Sequence, residues 1–174
     1  MKSTKHITFY CVDNDTDDLE YIRENFKPNL SFNLLTFSSV QMFINKLKSE
    51  EKNKNFKIVL IDNIITSRGM NTRTALELLP PIKSIDKEIE IIIFADSENI
   101  ELKATSSNIK PAAFIKKDSQ FFIRLYPIIS RLISEYNLKK KQRTVKFTII
   151  FLISLIAFGL TPYYSDNLLT TVQT

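Results

Sequence analysis

One short apolar run constrains the fold of this chain more than any other feature. Residues 57–61 read Lys-Ile-Val-Leu-Ile, and Asp62 follows them. A run this short and this rich in β-branched side chains is typical of a buried strand, because helices are longer. Asp62 would then lie at the carboxyl end of a strand, the edge at which open parallel α/β sheets bind ligands. An aspartate after a strand is also a common turn residue, so Asp62 alone does not define a site.

Strand-like runs alternate with segments of helical apolar spacing five times along the chain. Strands are predicted at 6–12, 31–37, 57–62, 88–94 and 112–115. Such alternation indicates an α/β fold in which helices cover both faces of a parallel sheet. We therefore expect a doubly wound, flavodoxin-like sheet of five parallel strands in the order 2-1-3-4-5. Thr66 to Thr72 is predicted to be a polar connection, and Pro80 and Pro81 are predicted to end or kink the third helix.

Three charged side chains follow strands of this predicted sheet. Asp13 follows the first strand, Asp62 ends the third and Lys117 follows the fifth. In the order 2-1-3-4-5 all three side chains reach the same edge. The two carboxylates repel each other unless a hard cation such as Mg²⁺ bridges them, and a lysine supplies a point charge for a phosphoryl oxygen. The combination indicates a metal-dependent phosphoryl site.

Three segments resemble the receiver domain of two-component response regulators, over about residues 5 to 138. They are residues 10–19 (YCVDNDTDDL), 58–62 (IVLID) and 113–119 (AFIKKDS). The resemblance implies that Asp62 is the phosphoacceptor, that Asp13 and Asn14 join it in holding Mg²⁺, and that Lys117 senses the phosphoryl group. It also implies a His kinase or phosphotransfer protein as partner, and a phosphorelay signalling domain that is not an enzyme.

The chain departs from the receiver pattern at the metal site and at the switch. Receivers usually carry two adjacent acids after the first strand, and Asn14 stands in the second place, which should weaken Mg²⁺ binding. Phe94 stands where receivers carry a Thr or Ser hydroxyl, while Phe114 fits the place of the aromatic switch residue. These departures favour an alternative function, a degenerate receiver that binds partner proteins without being phosphorylated.

Composition excludes several other classes of function. The chain has 1 Cys and 1 His, which leaves no disulfide framework and little support for a metal cluster or a Ser-His-Asp arrangement. The net charge is +5, and residues 139–174 carry +4 of it. Because the basicity is local, it does not indicate a nucleic-acid-binding surface on the domain.

The C-terminal segment predicts a membrane anchor. Phe147 to Tyr164 is a run of 18 residues without charge, the length at which a transmembrane helix is considered. The basic residues before it place the receiver in the cytoplasm and the C-terminus outside. A core or dimer helix is the alternative, and a homodimer is left open. The predicted organisation is a receiver-like domain at 1–138, a basic juxtamembrane segment at 139–146, a transmembrane helix at 147–164 and an extracytoplasmic tail at 165–174.

Overall fold

A computed structural model describes residues 7–27, 32–53, 55–66, 72–95 and 109–171, with side chains as far as Phe158. The chain divides into two compact units, Met1–Ile133 and Ser134–Thr174. The sequence also predicts a weak, polar helix from Ser97 to Ser107, and these residues lie outside the described ranges. The strands are β1 Ile7–Val12, β2 Phe32–Phe37, β3 Phe56–Asp62, β4 Ile64–Thr66, β5 Thr72–Thr74, β6 Glu90–Ala95 and β7 Ala113–Lys116. The helices are α1 Thr16–Asn25, α2 Val40–Ser49, α3 Ala75–Ile85 and α4 Phe121–Thr171.

The first unit is built on a five-stranded parallel sheet in the order β2-β1-β3-β6-β7. Counted in chain order within this sheet, the strands have the predicted order 2-1-3-4-5, which is therefore confirmed. The register places Asp62 of β3 opposite Phe94 of β6, and Ala95 opposite Lys116 of β7. The carboxyl ends of the central strands therefore meet at one edge.

The central strands are buried on both faces. Every residue of β1 is buried, and so are the first six residues of β3. Because successive side chains of a strand point to opposite faces, Tyr10 and Val12 pack with residues of α2 and α3. Phe9 faces the other way and stacks on Phe26, with ring centroids 4.6 Å apart. Each fully buried side chain of this size stabilises the fold by about 1.5–3 kcal/mol, and the buried strands hold the sheet edge rigidly.

The predicted polar connection from Thr66 to Thr72 lies mostly outside the described residues, and the structure adds two short strands, one on either side of it. β4 and β5 form a two-stranded antiparallel hairpin, in which Ile64 pairs with Thr74 and Thr66 with Thr72. Residues 67–71 between the two strands lie outside the described residues. Three-residue strands are too short to show a periodic pattern, so the sequence does not reveal this hairpin.

The two prolines do not end the third helix, since α3 continues to Ile85 beyond Pro80 and Pro81, while the alternative that they kink it stays a prediction. Proline in a helix interior costs about 3 kcal/mol. Three neighbouring side chains are at most 3% exposed: Leu78, Leu79 and Ile82. Burying these side chains contributes about 1.5–3 kcal/mol each, which offsets the lost backbone hydrogen bonds.

The second unit holds the remainder of α4, and most of its described side chains are exposed. All residues from Leu138 to Phe158 are solvent-exposed. Where the structure describes side chains, no helix has the length and hydropathy that a membrane span needs. The predicted transmembrane helix at 147–164 finds no support there, although its final part lies beyond Phe158. The anchor stays a prediction.

Candidate functional site

Two aspartates lie at the carboxyl ends of the central strands. Asp13 follows β1, and its backbone N–H donates to the carbonyl of Phe37 across the strand ends, at 3.1 Å. Asp62 is the last residue of β3. The side chains of Asp13 and Asp62 are 3% and 14% exposed, respectively. Hydration is therefore poor at both carboxylates, and each needs a cationic or hydrogen-bonding partner within the protein.

Lys117 is that partner. Its backbone N–H donates to the carbonyl of Ala95 at 3.0 Å, which fixes the residue just beyond β7. The ammonium group lies 2.8 Å from Oδ2 of Asp13, 2.8 Å from Oδ2 of Asp18 and 3.0 Å from Oδ1 of Asp62. The structure thus brings together the three side chains that the sequence placed at one edge. The roles assigned to them stay predictions.

Asp18 is a member of this cluster that the sequence analysis did not identify. It lies in the first turn of α1, where an acidic residue is explained by the helix dipole. Asp15 is the N-cap of this helix, and its Oδ1 accepts the backbone N–H of Asp17 at 2.8 Å. Side chains in an α-helix tilt toward its N-terminus, which here brings the Asp18 carboxylate to Lys117. The sequence signal for Asp18 was its position in the first turn after the N-cap Asp15, only a few residues beyond the end of β1.

The site carries an excess of negative charge. Burial alone would lower the pKa of Lys117, but its hydrogen bonds to the three carboxylates raise that pKa well above its ordinary value. Burial raises the pKa of Asp13, against hydrogen bonds from Lys117 and from the backbone N–H of Asp15 that lower it. Three carboxylates around one ammonium leave two negative charges, which is the charge that one divalent cation would neutralise.

Carboxylate and amide oxygens at this edge are the types of ligand that a hard cation binds, although the described residues do not form a complete set of ligands. Within the described ranges, no three Asp, Glu, His or Cys side chains are grouped as ligands of one metal ion, and Lys117 lies between the carboxylates instead. Oδ2 of Asp62 accepts one backbone N–H, from Ile64 at 3.2 Å. Asn14 is exposed, and its amide nitrogen donates to the carbonyl of Ser38 at 3.2 Å. Carboxylate and amide oxygens are the ligands that Mg²⁺ prefers.

Phe94 packs against the charged cluster. Its side chain is buried, and the Lys117 ammonium lies 4.5 Å from the ring centroid, within reach of a cation–π interaction. The ring of Phe121 lies 4.7 Å away on the start of α4. Near the end of β6, Phe94 therefore presents an aromatic ring where a Thr or Ser would present a hydroxyl. Phe114 is half-buried, pairs with Ile93 and packs on the core formed with α2 and α3.

An open cavity of about 520 Å³ adjoins the cluster. Its lining includes Asp15, Asp18, Tyr21, Phe94, Lys117 and Phe121. The cavity gives solvent and a ligand access to Lys117 beside the buried carboxylates.

Comparison with known proteins identifies the fold. Neither a protein-family model nor a curated protein matches the chain. Among solved structures, it is similar to a response regulator receiver domain protein of Clostridium thermocellum, with 16% identity, a TM-score of 0.57, and 76% of this chain and 98% of that chain covered. Full-length FixJ from B. japonicum has 19% identity and a TM-score of 0.57, with 79% of this chain and 63% of that chain covered.

A third similar structure is the BeF3-activated DrrB receiver domain of Thermotoga maritima. It has 19% identity and a TM-score of 0.54, and the match covers 73% of this chain and 97% of that one. The first unit therefore has the fold of response-regulator receiver domains, and this part of the sequence prediction is confirmed. Identities this low define the fold alone. Function must be argued from the site.

Proposed function

We propose that the chain is a phosphorelay receiver in which Asp62 accepts a phosphoryl group from a His kinase or phosphotransfer protein. One observation carries the proposal: Lys117 contacts Asp62 and Asp13 together, at 3.0 Å and 2.8 Å. A structural role for the lysine needs one carboxylate, whereas a phosphoryl acceptor needs a nucleophilic carboxylate beside a fixed positive charge.

The chemistry is the transfer of a phosphoryl group between two nucleophiles. A carboxylate oxygen of Asp62 forms a bond to phosphorus, and the phosphorus–nitrogen bond of the donor phosphohistidine breaks, so that the imidazole keeps the electron pair. The ammonium of Lys117 binds an oxygen of the transferred phosphoryl group. Because it counters the negative charge of that group, the repulsion between the phosphoryl group and the carboxylates of Asp13 and Asp18 is reduced. The buried position of Asp13 keeps the surrounding charges fixed during the transfer.

Mg²⁺ is the cofactor that we propose for this site. Asp13 and Asp62 would hold it through carboxylate oxygens and Asn14 through its amide oxygen, and the ion would neutralise charge on the transferred phosphoryl oxygens. Asn14 brings no negative charge, so we expect the affinity to be lower than with a second carboxylate. The net charge of the cluster supports the proposal.

The second candidate is a degenerate receiver that acts as a protein-interaction module without phosphorylation. The Phe94 ring favours this interaction module. The ring packs against Lys117, at the position where a Thr or Ser hydroxyl would donate a hydrogen bond to a phosphoryl oxygen. Phosphorylation remains the better candidate. A module of that kind has no need for three carboxylates held around one lysine, and such a cluster is electrostatically costly.

We also propose that the receiver works on the cytoplasmic side of a membrane, to which the C-terminal segment attaches it. The support is the exposure of every side chain from Phe147 to Phe158, most of which are apolar. Large exposed apolar surfaces are rare in soluble monomers and mark contact with lipid or with another protein.

The test of phosphoryl transfer is labelling of the full-length chain. The protein is incubated with acetyl phosphate and Mg²⁺, and its intact mass is followed with time. We expect one phosphoryl group per chain in the unaltered protein and none in Asp62→Asn. The matched control is Asp17→Asn, which removes an exposed carboxylate of α1 outside the cluster and should label normally.

Two outcomes would decide against the proposal. Equal labelling of Asp62→Asn and the unaltered chain would show that another residue is the acceptor. A folded, unaltered chain that takes up no phosphoryl group from acetyl phosphate or phosphoramidate would favour the interaction module.

A further inference from the structure

The second unit joins two exposed segments of opposite character along one helix. The basic segment, residues 139–146, holds Lys139, Lys140, Lys141, Arg143 and Lys146. The apolar segment, residues 147–158, follows directly and carries no charged residue. Every side chain of both segments is exposed. A phosphoryl site in the first unit accounts for neither of them.

The basic segment itself contains no acidic residue. Its nearest acidic neighbours in the sequence are Glu135 and Asp166. An α-helix rises 1.5 Å per residue, so the five basic groups lie within about 12 Å of helix. Such a density of positive charge, with no acidic residue among it, is complementary to an anionic surface.

The apolar segment indicates that the anionic surface is that of a lipid bilayer. Ile149, Ile150, Phe151, Leu152 and Ile153 are consecutive and each is at least 50% exposed. Since a turn takes 3.6 residues, these five cover all sides of the helix. A coiled coil needs only a narrow apolar seam and a polar remainder, and nucleic acid offers no apolar interior. A lipid bilayer accepts a helix that is apolar all round.

The basic segment directly precedes the uncharged run, which continues in the sequence from Phe147 to Tyr164. With that run in the hydrocarbon core, the basic segment would lie at the depth of the headgroup phosphates.

We propose that the basic segment is a binding site for anionic phospholipid headgroups, so that membrane attachment depends on the lipid charge and is not merely apolar insertion. This inference rests on the proposed membrane attachment and is independent of phosphorylation at Asp62. Each Lys or Arg near an anionic surface strengthens binding by about fivefold. The attraction falls as salt screens the charges.

The experiment measures binding of the full-length chain to two kinds of vesicle. One is phosphatidylcholine alone, and in the other about a third of the lipid is phosphatidylglycerol. We expect at least about hundredfold tighter binding to the anionic vesicles, falling as the salt concentration rises. The triple variant Lys139→Gln, Lys140→Gln, Lys141→Gln should lose about hundredfold of that affinity.

A matched variant controls for net charge. Lys48, Lys52 and Lys87 are exposed on the first unit, and their replacement by Gln removes the same number of charges. We expect this variant to bind anionic vesicles as the unaltered chain does. Glutamine is a good helix former, and circular dichroism of both triple variants would confirm that the helix is intact.

Three results would overturn the proposal and can be told apart. Equal binding to both vesicles would leave the attachment in place and remove the headgroup site. Binding to neither would remove the attachment as well, whereas labelling of Asp62 would be unaffected. Tighter binding to double-stranded DNA than to anionic vesicles, with the same dependence on the three lysines, would assign the basic segment to nucleic acid.

Discussion

Two lysines at opposite ends of the sheet differ in how their charge is balanced. Lys57, at the amino end of β3, pairs with Asp86 at 2.8 Å and donates to the carbonyl of Asn53 at 2.9 Å, with its side chain 2% exposed. Lys117, at the carboxyl edge, contacts three carboxylates and is 16% exposed. One acid for one lysine satisfies the fold. Three acids for one lysine leave an excess of negative charge that a bound cation would neutralise.

The two lysines differ because they lie at opposite ends of the parallel strands. Parallel strands of this fold lead into helix N-termini at their carboxyl ends, where the helix dipole favours negative groups. Asp18 in the first turn of α1 is such a group. Lys57 lies at the other end, close to the residue that follows α3, Asp86. We therefore expect changes at Lys57 to alter stability and changes around Lys117 to alter function.

The largest expected effect is the loss of stability on removing Asp86. Asp86→Ala leaves the Lys57 ammonium buried with a single carbonyl partner, which should lower the free energy of unfolding by about 3 kcal/mol. The double variant Lys57→Met, Asp86→Leu should recover most of that loss, because no unpaired charge remains buried. Urea unfolding of the three proteins measures both effects.

The Lys117 cluster provides the counterpart. Asp62→Asn removes one of three carboxylates that repel each other, so the free energy of unfolding should change by less than about 1 kcal/mol. Labelling by acetyl phosphate should nevertheless be lost. If Asp62→Asn destabilised the fold as strongly as Asp86→Ala, the contrast between a structural and a functional lysine would not hold.

A smaller effect is expected when charge is added to the proposed metal site. Asn14→Asp places a second acid beside Asp13, and a unit charge about 4 Å from a divalent cation in water contributes about 2 kcal/mol. The Mg²⁺ concentration that gives half-maximal labelling should fall by up to about thirtyfold. The control Asn45→Asp adds the same charge on the exposed side of α2. An equal shift in both variants would mean that Asn14 is not at the metal site.

The smallest expected effect is a pH dependence at the amino end of the sheet. Glu50 accepts hydrogen bonds from Tyr10 and Lys46, and these lower its pKa although burial raises it. A carboxyl whose pKa is lower in the folded chain stabilises the fold above its unfolded pKa, and this contribution is lost as the pH falls through the folded value. Glu50→Gln should thus lose less than about 1 kcal/mol at neutral pH and nothing in strong acid. Unfolding by urea at both pH values is the measurement.

The sheet was predictable because its central strands are buried and rich in β-branched residues. Ile58 to Ile61 has an unambiguous pattern, and the order of the strands follows from their alternation with helices. The convergence of Asp13, Asp62 and Lys117 follows from that order. The part played by Asp18 does not, because it depends on the direction of a side chain in the first helical turn.

Two features could not be predicted from the sequence: the hairpin that precedes α3 and the continuation of α3 past its two prolines. The pairing of β4 with β5 depends on contacts between strands of three residues each, which local propensity does not determine. The helix continues past Pro80 and Pro81 because tertiary burial outweighs a local penalty. The contact of Phe94 with Lys117 is likewise tertiary, since 23 positions separate the two residues.

The most direct test is to locate the phosphoryl group on the unaltered chain. The full-length protein is phosphorylated with acetyl phosphate and Mg²⁺ and then treated with sodium borohydride, which reduces an acyl phosphate of aspartate to homoserine. Mass spectrometry of the peptides locates the modified residue. We predict homoserine at Asp62 alone, and none when Lys117→Met removes the ammonium from the site. Homoserine at Asp13, at Asp18 or at an exposed aspartate such as Asp17, with Asp62 unmodified, would contradict the assignment of the phosphoryl site.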